Sequence, residues 1–325
     1  MHISHIKKLA AAVFFIALLL SALQCKKEVS ADNSALIADS INTARELALQ
    51  KTKDSLIQDS IEKNRVTYRT VIFKKNKKDS ILKAFNNEYS PEERAIIYAL
   101  NRLDSKNKFR ADTLSVPDKF DKSLMIYTPF PRTLDQLKKV NKIAFFSYPI
   151  QAYALYENGN LVKWGPTSMG KKSAQTKRGL MFANWKKELA ISTVDSEWKL
   201  PYNFNIHNTL GIGWHEYDLP GYPASHSCLR LLHDDAKFLY NWADTWTLNK
   251  DGQTLKANGT PVIVFGDYAW GGRKPWKYLE SDSALTDISE KEMNSIIEPN
   301  LDKILSEQEK TQTVRKAQTL SSEAI

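Results

Sequence analysis

Two cysteines and six histidines occur in 325 residues, and five of these eight side chains crowd into residues 206–235: His207, His215, His226, His233 and Cys228. A single thiol among imidazoles suits nucleophilic catalysis. The ring takes the thiol proton, from a group whose free pKa lies near about 8.5, and the sulfur attacks a carbonyl carbon. The same side chains are acceptable zinc ligands. However, the stretch has no Cys-x-x-Cys or His-Glu-x-x-His spacing, so a thiol site needing neither metal nor cofactor is the better expectation. A cysteine can also be plain packing, and only its histidine neighbours argue otherwise.

The finer pattern is Ser225-His226-Ser227-Cys228-Leu229-Arg230, with His207 ahead of it. With 17 residues intervening between His207 and Ser225 (positions 208–224), it resembles the L,D-transpeptidase family with the YkuD-type catalytic domain, in which a histidine precedes Ser/Thr-His-Gly-Cys by a comparable gap. Asn205 to Thr209, Ser168-Met169-Gly170, Thr176-Lys177-Arg178-Gly179 and Gly259-Thr260-Pro261-Val262 fall where that family has its other signature turns and last strand. The resemblance covers roughly residues 140–270.

It implies a thioester acyl-enzyme. Cys228 would attack the bond between the L-centre of diaminopimelate and the terminal D-alanine of a peptidoglycan tetrapeptide stem. An amine from a second stem would then yield a cross-link, whereas water would make the protein a carboxypeptidase or endopeptidase. Carbapenems are expected to acylate the thiol. His207, 21 residues before the cysteine, is taken as the base, with His215, 13 before it, as the alternative. His226 would line the pocket or polarise the carbonyl. The backbone N–H groups of Ser227 and Cys228 would form the oxyanion hole. Ser225 would hold a histidine ring, and Arg230 would fix the turn or meet a substrate carboxylate. Ser227 and Asn208 stand where the family has glycine. Asparagine accepts a left-handed backbone more readily than serine. A catalytically silent wall-binding protein is the competing reading, and Ser227 is its chief support.

The elements needed to hold such a site lie around it. All 12 glycines fall between Gly159 and Gly272 and all eight tryptophans between Trp164 and Trp276, which locates turns and core. Strands are expected at 143–148 and 151–156, a hairpin turn at Asn158-Gly159, a returning strand at 161–164, a helix at 234–246 and a buried strand at 260–265. The expected catalytic domain, 140–276, is mainly β, sandwich-like, with one or two helices. A small α+β module at 66–120 precedes it. Its strand–helix–helix–strand order resembles a degenerate LysM domain, a helical spacer being the alternative. Tyr222, Tyr217 and Trp214 are candidates for a lid. Residues 277–325 read as a polar helical or disordered tail, with disorder expected from about 306.

The N-terminus reads as export. Lys7 and Lys8 precede an apolar run from Leu9 to Leu20 that is short for a membrane span, and Cys25 follows it. The ending resembles a lipoprotein signal, with Cys25 as the lipidated residue; a plain signal peptide or anchor is the alternative. Residues 26–65 contain no Gly or Pro and carry seven basic and seven acidic residues, a helical or flexible spacer. The expected location is the periplasmic face of a bacterial membrane. The net charge of +9 suits an acidic wall polymer and its stem peptides. No nucleic-acid-binding motif is present, so no nucleic acid is expected as a partner.

Overall fold

A computed structural model describes residues 40–45, 48–49, 52, 65–192 and 195–323. Met1–Asn64 and Arg65–Ile325 form two compact units. The expected export signal, Cys25 and most of the expected spacer lie outside the described residues. The second unit contains Cys228 and the histidines around it.

It begins with strand β1 (Tyr68–Ile72), helix α1 (Lys78–Glu88), helix α2 (Pro91–Leu100) and strand β2 (Thr113–Pro117). The start of α2 is written in its sequence. Ser90 Oγ accepts the Glu93 N–H at 3.2 Å, the Glu93 carboxylate accepts the Ser90 N–H at 2.8 Å, and Pro91 occupies the first helical position. β1 and β2 pair antiparallel, Tyr68 opposite Pro117, over a core that includes Phe73, Leu82, Phe85 and Leu114. The module was expected to stand apart; instead it is fused to the larger β domain. Val66, Ile96 and Leu100 belong to the same buried cluster as Phe145 and Tyr156. Arg102 is buried, donates to the Ile150 carbonyl at 2.8 Å and lies over the rings of Trp276 and Trp164. The apolar residues of α2 were enough for a small core of their own, but half of them face outward into the larger domain.

That domain continues with β3 (Ile143–Ser147), β4 (Ala152–Glu157), β5 (Asn160–Pro166), β6 (Gly179–Phe182), β7 (Lys186–Ile191), β8 (Lys199–His207), β9 (Ile212–Glu216), β10 (Leu229–Leu231), helix α3 (His233–Trp242), β11 (Thr247–Leu248), β12 (Leu255–Ala257) and β13 (Pro261–Phe265). A five-stranded sheet runs β5-β4-β3-β13-β6 and a four-stranded sheet β10-β9-β8-β7. The β4–β5 turn has φ +48° at Asn158 and +79° at Gly159, which that dipeptide tolerates and most others do not. A side chain at Gly159 would strike the Leu134 carbonyl oxygen, with its Cβ 2.7 Å away.

The two sheets pack face to face. Phe146, Tyr153, Val262 and Val264 meet Phe204, Ile206, Trp214, Leu229 and Leu231, and α3 closes this layer with Ala236 and Leu239. The opposite face of the larger sheet is covered too, so β3 is buried on both sides. Part of that cover is the C-terminal region. α4 (Glu290–Ile297) and α5 (Leu301–Glu323) are helical, and α5 runs on through the stretch from about 306 where disorder was expected. Met293, Ile297 and Ile304 are buried in the cluster under Phe145, and the Glu307 carboxylate accepts from Asn258 and from two lysines, Lys303 and Lys310. The narrow apolar stripe in this polar sequence is sufficient to dock it.

Candidate active site

The site grows from the β9–β10 pairing. These strands run parallel, with Leu229 opposite Trp214, Arg230 opposite His215 and Leu231 opposite Glu216. Side chains alternate along each strand, so the two faces have opposite characters. Ile212, Trp214, Leu229 and Leu231 point inward and are essentially buried, Trp214 against Phe204 and Phe146. Gly213, His215, Cys228 and Arg230 therefore share the other face. There, His215, Cys228 and Arg230 line a cleft of about 150 Å³ together with Asn203, Asn205, Tyr217, Trp198, Ser225, Ser227 and His226.

Cys228 lies at the start of β10, half-buried, with Sγ 3.9 Å from the Gly211 carbonyl oxygen. Burial pushes its thiol pKa up, against the opposing pull of the Gly213 N–H and the Arg230 guanidinium. The resting sulfur is thus a thiol at neutral pH. His215 is 3 % exposed, and burial brings its pKa down to about 4. Nδ1 lies 2.9 Å from the Glu216 carbonyl oxygen, which can only accept, so Nδ1 carries the proton and Nε2 keeps its lone pair. The same cleft thus holds a neutral thiol and a neutral imidazole.

His207, expected as the base, is elsewhere. It ends β8 at the hairpin turn and does not line the cleft. Its Nδ1 lies 3.3 Å from the Leu210 nitrogen and its Nε2 3.1 Å from the Lys177 ammonium; a neutral ring accepts at one nitrogen only, and the closer, charged ammonium is the stronger donor. Sequence spacing to Cys228 favoured His207; strand pairing places His215 there instead. His226 is on the rim, with Trp198 against its ring at 5.1 Å between centroids and Lys171 Nζ 2.6 Å from Nε2. Burial, then Lys171 and Arg230, lower its pKa. His233 is further off, 2.8 Å from the Glu216 carboxylate.

The nucleophile turn is held by its carbonyls. Ser225 Oγ donates to the Cys228 carbonyl oxygen at 2.5 Å and holds no histidine ring, contrary to expectation. Thr176 Oγ1 donates to the Ser227 carbonyl oxygen at 2.9 Å and accepts the Gly170 N–H at 3.0 Å. Ser227 adopts φ +89°, a strained value for a residue with a Cβ. Asn208 is not left-handed; Gly211, at φ +61°, makes that turn. Arg230 lies over the Tyr217 ring at 4.4 Å and points toward the Asp218 carbonyl, 3.4 Å away. Among the described residues no three His, Cys, Asp or Glu side chains could together hold a metal ion.

Residues 142–264 match the YkuD L,D-transpeptidase catalytic domain. The matched stretch takes in both sheets, from β3 through β13. Solved structures similar to the chain include an L,D-transpeptidase from Stackebrandtia nassauensis (25% identity, 40% of this chain, 57% of that one, TM-score 0.32). Another is from Mycobacterium smegmatis (19%, 39% and 59%, TM-score 0.31), and a third comprises residues 123–326 of the Xylanimonas cellulosilytica protein (18%, 55% and 81%, TM-score 0.36). The chain thus spans less than two thirds of the length of the first two. A search of curated proteins returned no match.

Several residues of the cleft and its rim were not singled out by the sequence. Trp185 and Trp198, and not Trp214, are the tryptophans lining the cleft. Gly213 supplies an N–H to the sulfur. Lys171 and Lys177 reach two of the histidines. The placing of His215 was readable: Ile-Gly-Trp-His-Glu alternates, and a core-facing Trp214 forces His215 to the side of Gly213.

Proposed function

We propose that the protein is a cysteine-dependent L,D-transpeptidase acting on peptidoglycan tetrapeptide stems, with Cys228 as nucleophile and His215 as base. The observation that carries this reading is the shared face of Cys228, His215 and Arg230 on two paired strands, opening onto one cleft. As Cys228 Sγ bonds to the carbonyl carbon between diaminopimelate and D-alanine, its proton passes to His215 Nε2. The tetrahedral oxyanion meets the N–H groups of Ser227 and Cys228, whose carbonyls are already engaged by Thr176 and Ser225. Collapse breaks the C–N bond. His215 returns the proton to the departing D-alanine amine, leaving a thioester. The amine of a second stem then attacks the thioester, its proton goes by way of His215 to sulfur, and a cross-link and free thiol result. The reading includes export and a lipid anchor on Cys25, which would hold the domain beside the wall.

Intact-protein mass spectrometry after carbapenem exposure tests it. One drug mass should add to the wild type and none to Cys228→Ala. A wild type that stays unlabelled while its thiol remains titratable refutes the assignment.

A further inference from the structure

The Cys228 cleft has an unusual charge pattern. No Asp or Glu lines it, and its one fully charged side chain is Arg230. Its lip is bordered by residues 170–178, which are tied to the nucleophile turn from both ends. The Lys171 N–H donates to the Ser225 carbonyl at 2.9 Å, and Thr176 Oγ1 donates to the Ser227 carbonyl at 2.9 Å. The Tyr148 hydroxyl braces the same segment, donating to the Gly170 carbonyl and accepting the Thr176 N–H at 3.2 Å. The lysines on this segment therefore keep a fixed position relative to the sulfur.

Two of those lysines are aimed by histidines. Lys171 Nζ donates to His226 Nε2 at 2.6 Å, on a ring that lines the cleft. Lys177 Nζ donates to His207 Nε2 at 3.1 Å, on a ring beside the hairpin turn whose Leu210 and Gly211 line the cleft. An ammonium has three N–H donors, and one is used in each case. Several lysines elsewhere pair with acids, Lys163 with Asp235, Lys142 with Asp244, Lys277 with Asp112, and both Lys303 and Lys310 with Glu307. Among the described residues neither Lys171 nor Lys177 has a carboxylate partner. Tethering to a ring reduces the side-chain freedom that a bare surface lysine would lose on gripping a ligand.

We propose that Lys171 and Lys177, each held by a histidine at the lip of the Cys228 cleft, form a binding site for carboxylate groups of the acyl donor. The site selects a peptide with free carboxylates over its amidated form. This rests on the assignment of Cys228 as the acylated residue. It gives His207 and His226 positioning roles, orienting the two ammonium groups and moving no proton in the reaction.

The test is the steady-state rate of thioester formation with a tetrapeptide stem in free-acid and fully amidated forms. It compares wild type, Lys171→Ala, Lys177→Ala, the double variant, Lys171→Arg, and Lys172→Ala as an adjacent exposed control. With the free acid, the double variant should raise KM about tenfold while kcat changes less than about twofold, as expected for two partly exposed ion pairs. Lys171→Arg should recover most of its share, and Lys172→Ala should match wild type. The amidated peptide should show a raised KM with wild type and no further loss with the double variant. Added salt should raise KM for wild type more than for the double variant. Equal KM values for wild type and double variant, or equal losses on both peptides, overturn the carboxylate site alone. A wild type that forms no thioester with either peptide overturns the nucleophile assignment and the site with it.

Discussion

Arg230 and His215 are direct partners across the parallel β9–β10 ladder, and this pairing sets the chemistry of the cleft. It places a cation, a neutral imidazole and, two residues before Arg230, the only described cysteine on the same side of two strands. The opposite side of the same strands is sealed by Trp214, Leu229 and Leu231. A one-residue slip would bury the sulfur and expose the tryptophan. The inward anchors therefore guard the catalytic register.

The pH dependence follows from burial of His215. Its pKa falls to about 4, so Nε2 remains a proton acceptor throughout the neutral range. The acid limb of kcat/KM should lie near pH 4; a limb near 6.5 would mean an exposed histidine is the base.

The same shift affects stability. Above the ordinary histidine pKa of about 6.5 the ring is neutral in both states and contributes no pH dependence. As pH falls from there toward 4, the unfolded chain binds a proton that the folded chain refuses, and stability declines by up to ~3 kcal/mol before levelling off. Urea unfolding of wild type beside His215→Gln should show this fall only in wild type. Parallel pH profiles for the two proteins would refute it.

Ser227 pays a backbone penalty at φ +89° that glycine would not. Ser227→Gly should stabilise the fold by about 1 kcal/mol, seen as a Tm a few degrees higher. A lower Tm would show that the serine side chain supports the turn.

Met293, Ile297 and Ile304 dock the C-terminal helices into the core beneath the larger sheet. Ile297→Ala should cost about 2–4 kcal/mol in denaturant unfolding. A loss below about 0.5 kcal/mol, typical of surface substitutions, would mean these helices are not part of the folded unit.

The readable parts of this fold were those with local causes. Asn158-Gly159 announces a turn with two positive φ values, Ser90-Pro91 with Glu93 announces a helix start, and Ala236, Leu239 and their neighbours form one helical face. What the sequence hid depends on distant contacts. Ile96 and Leu100 look like the core of a small module until β3 and β4 are placed against them. Counting residues to Cys228 singled out His207, but which ring shares the cleft with Cys228 depends on which strand lies beside β10, and that is β9. Nothing local marks Lys171 or Lys177, because their histidine partners lie 55 and 30 residues away.

The most direct test of the account is the acylation rate constant of Cys228 at saturating tetrapeptide, followed by mass spectrometry in His215→Ala and His207→Ala. Removing a general base should slow acylation by about 10²–10⁴-fold in His215→Ala, whereas His207→Ala should remain within a few-fold of wild type. The reverse order, with His207→Ala inert and His215→Ala active, would contradict it.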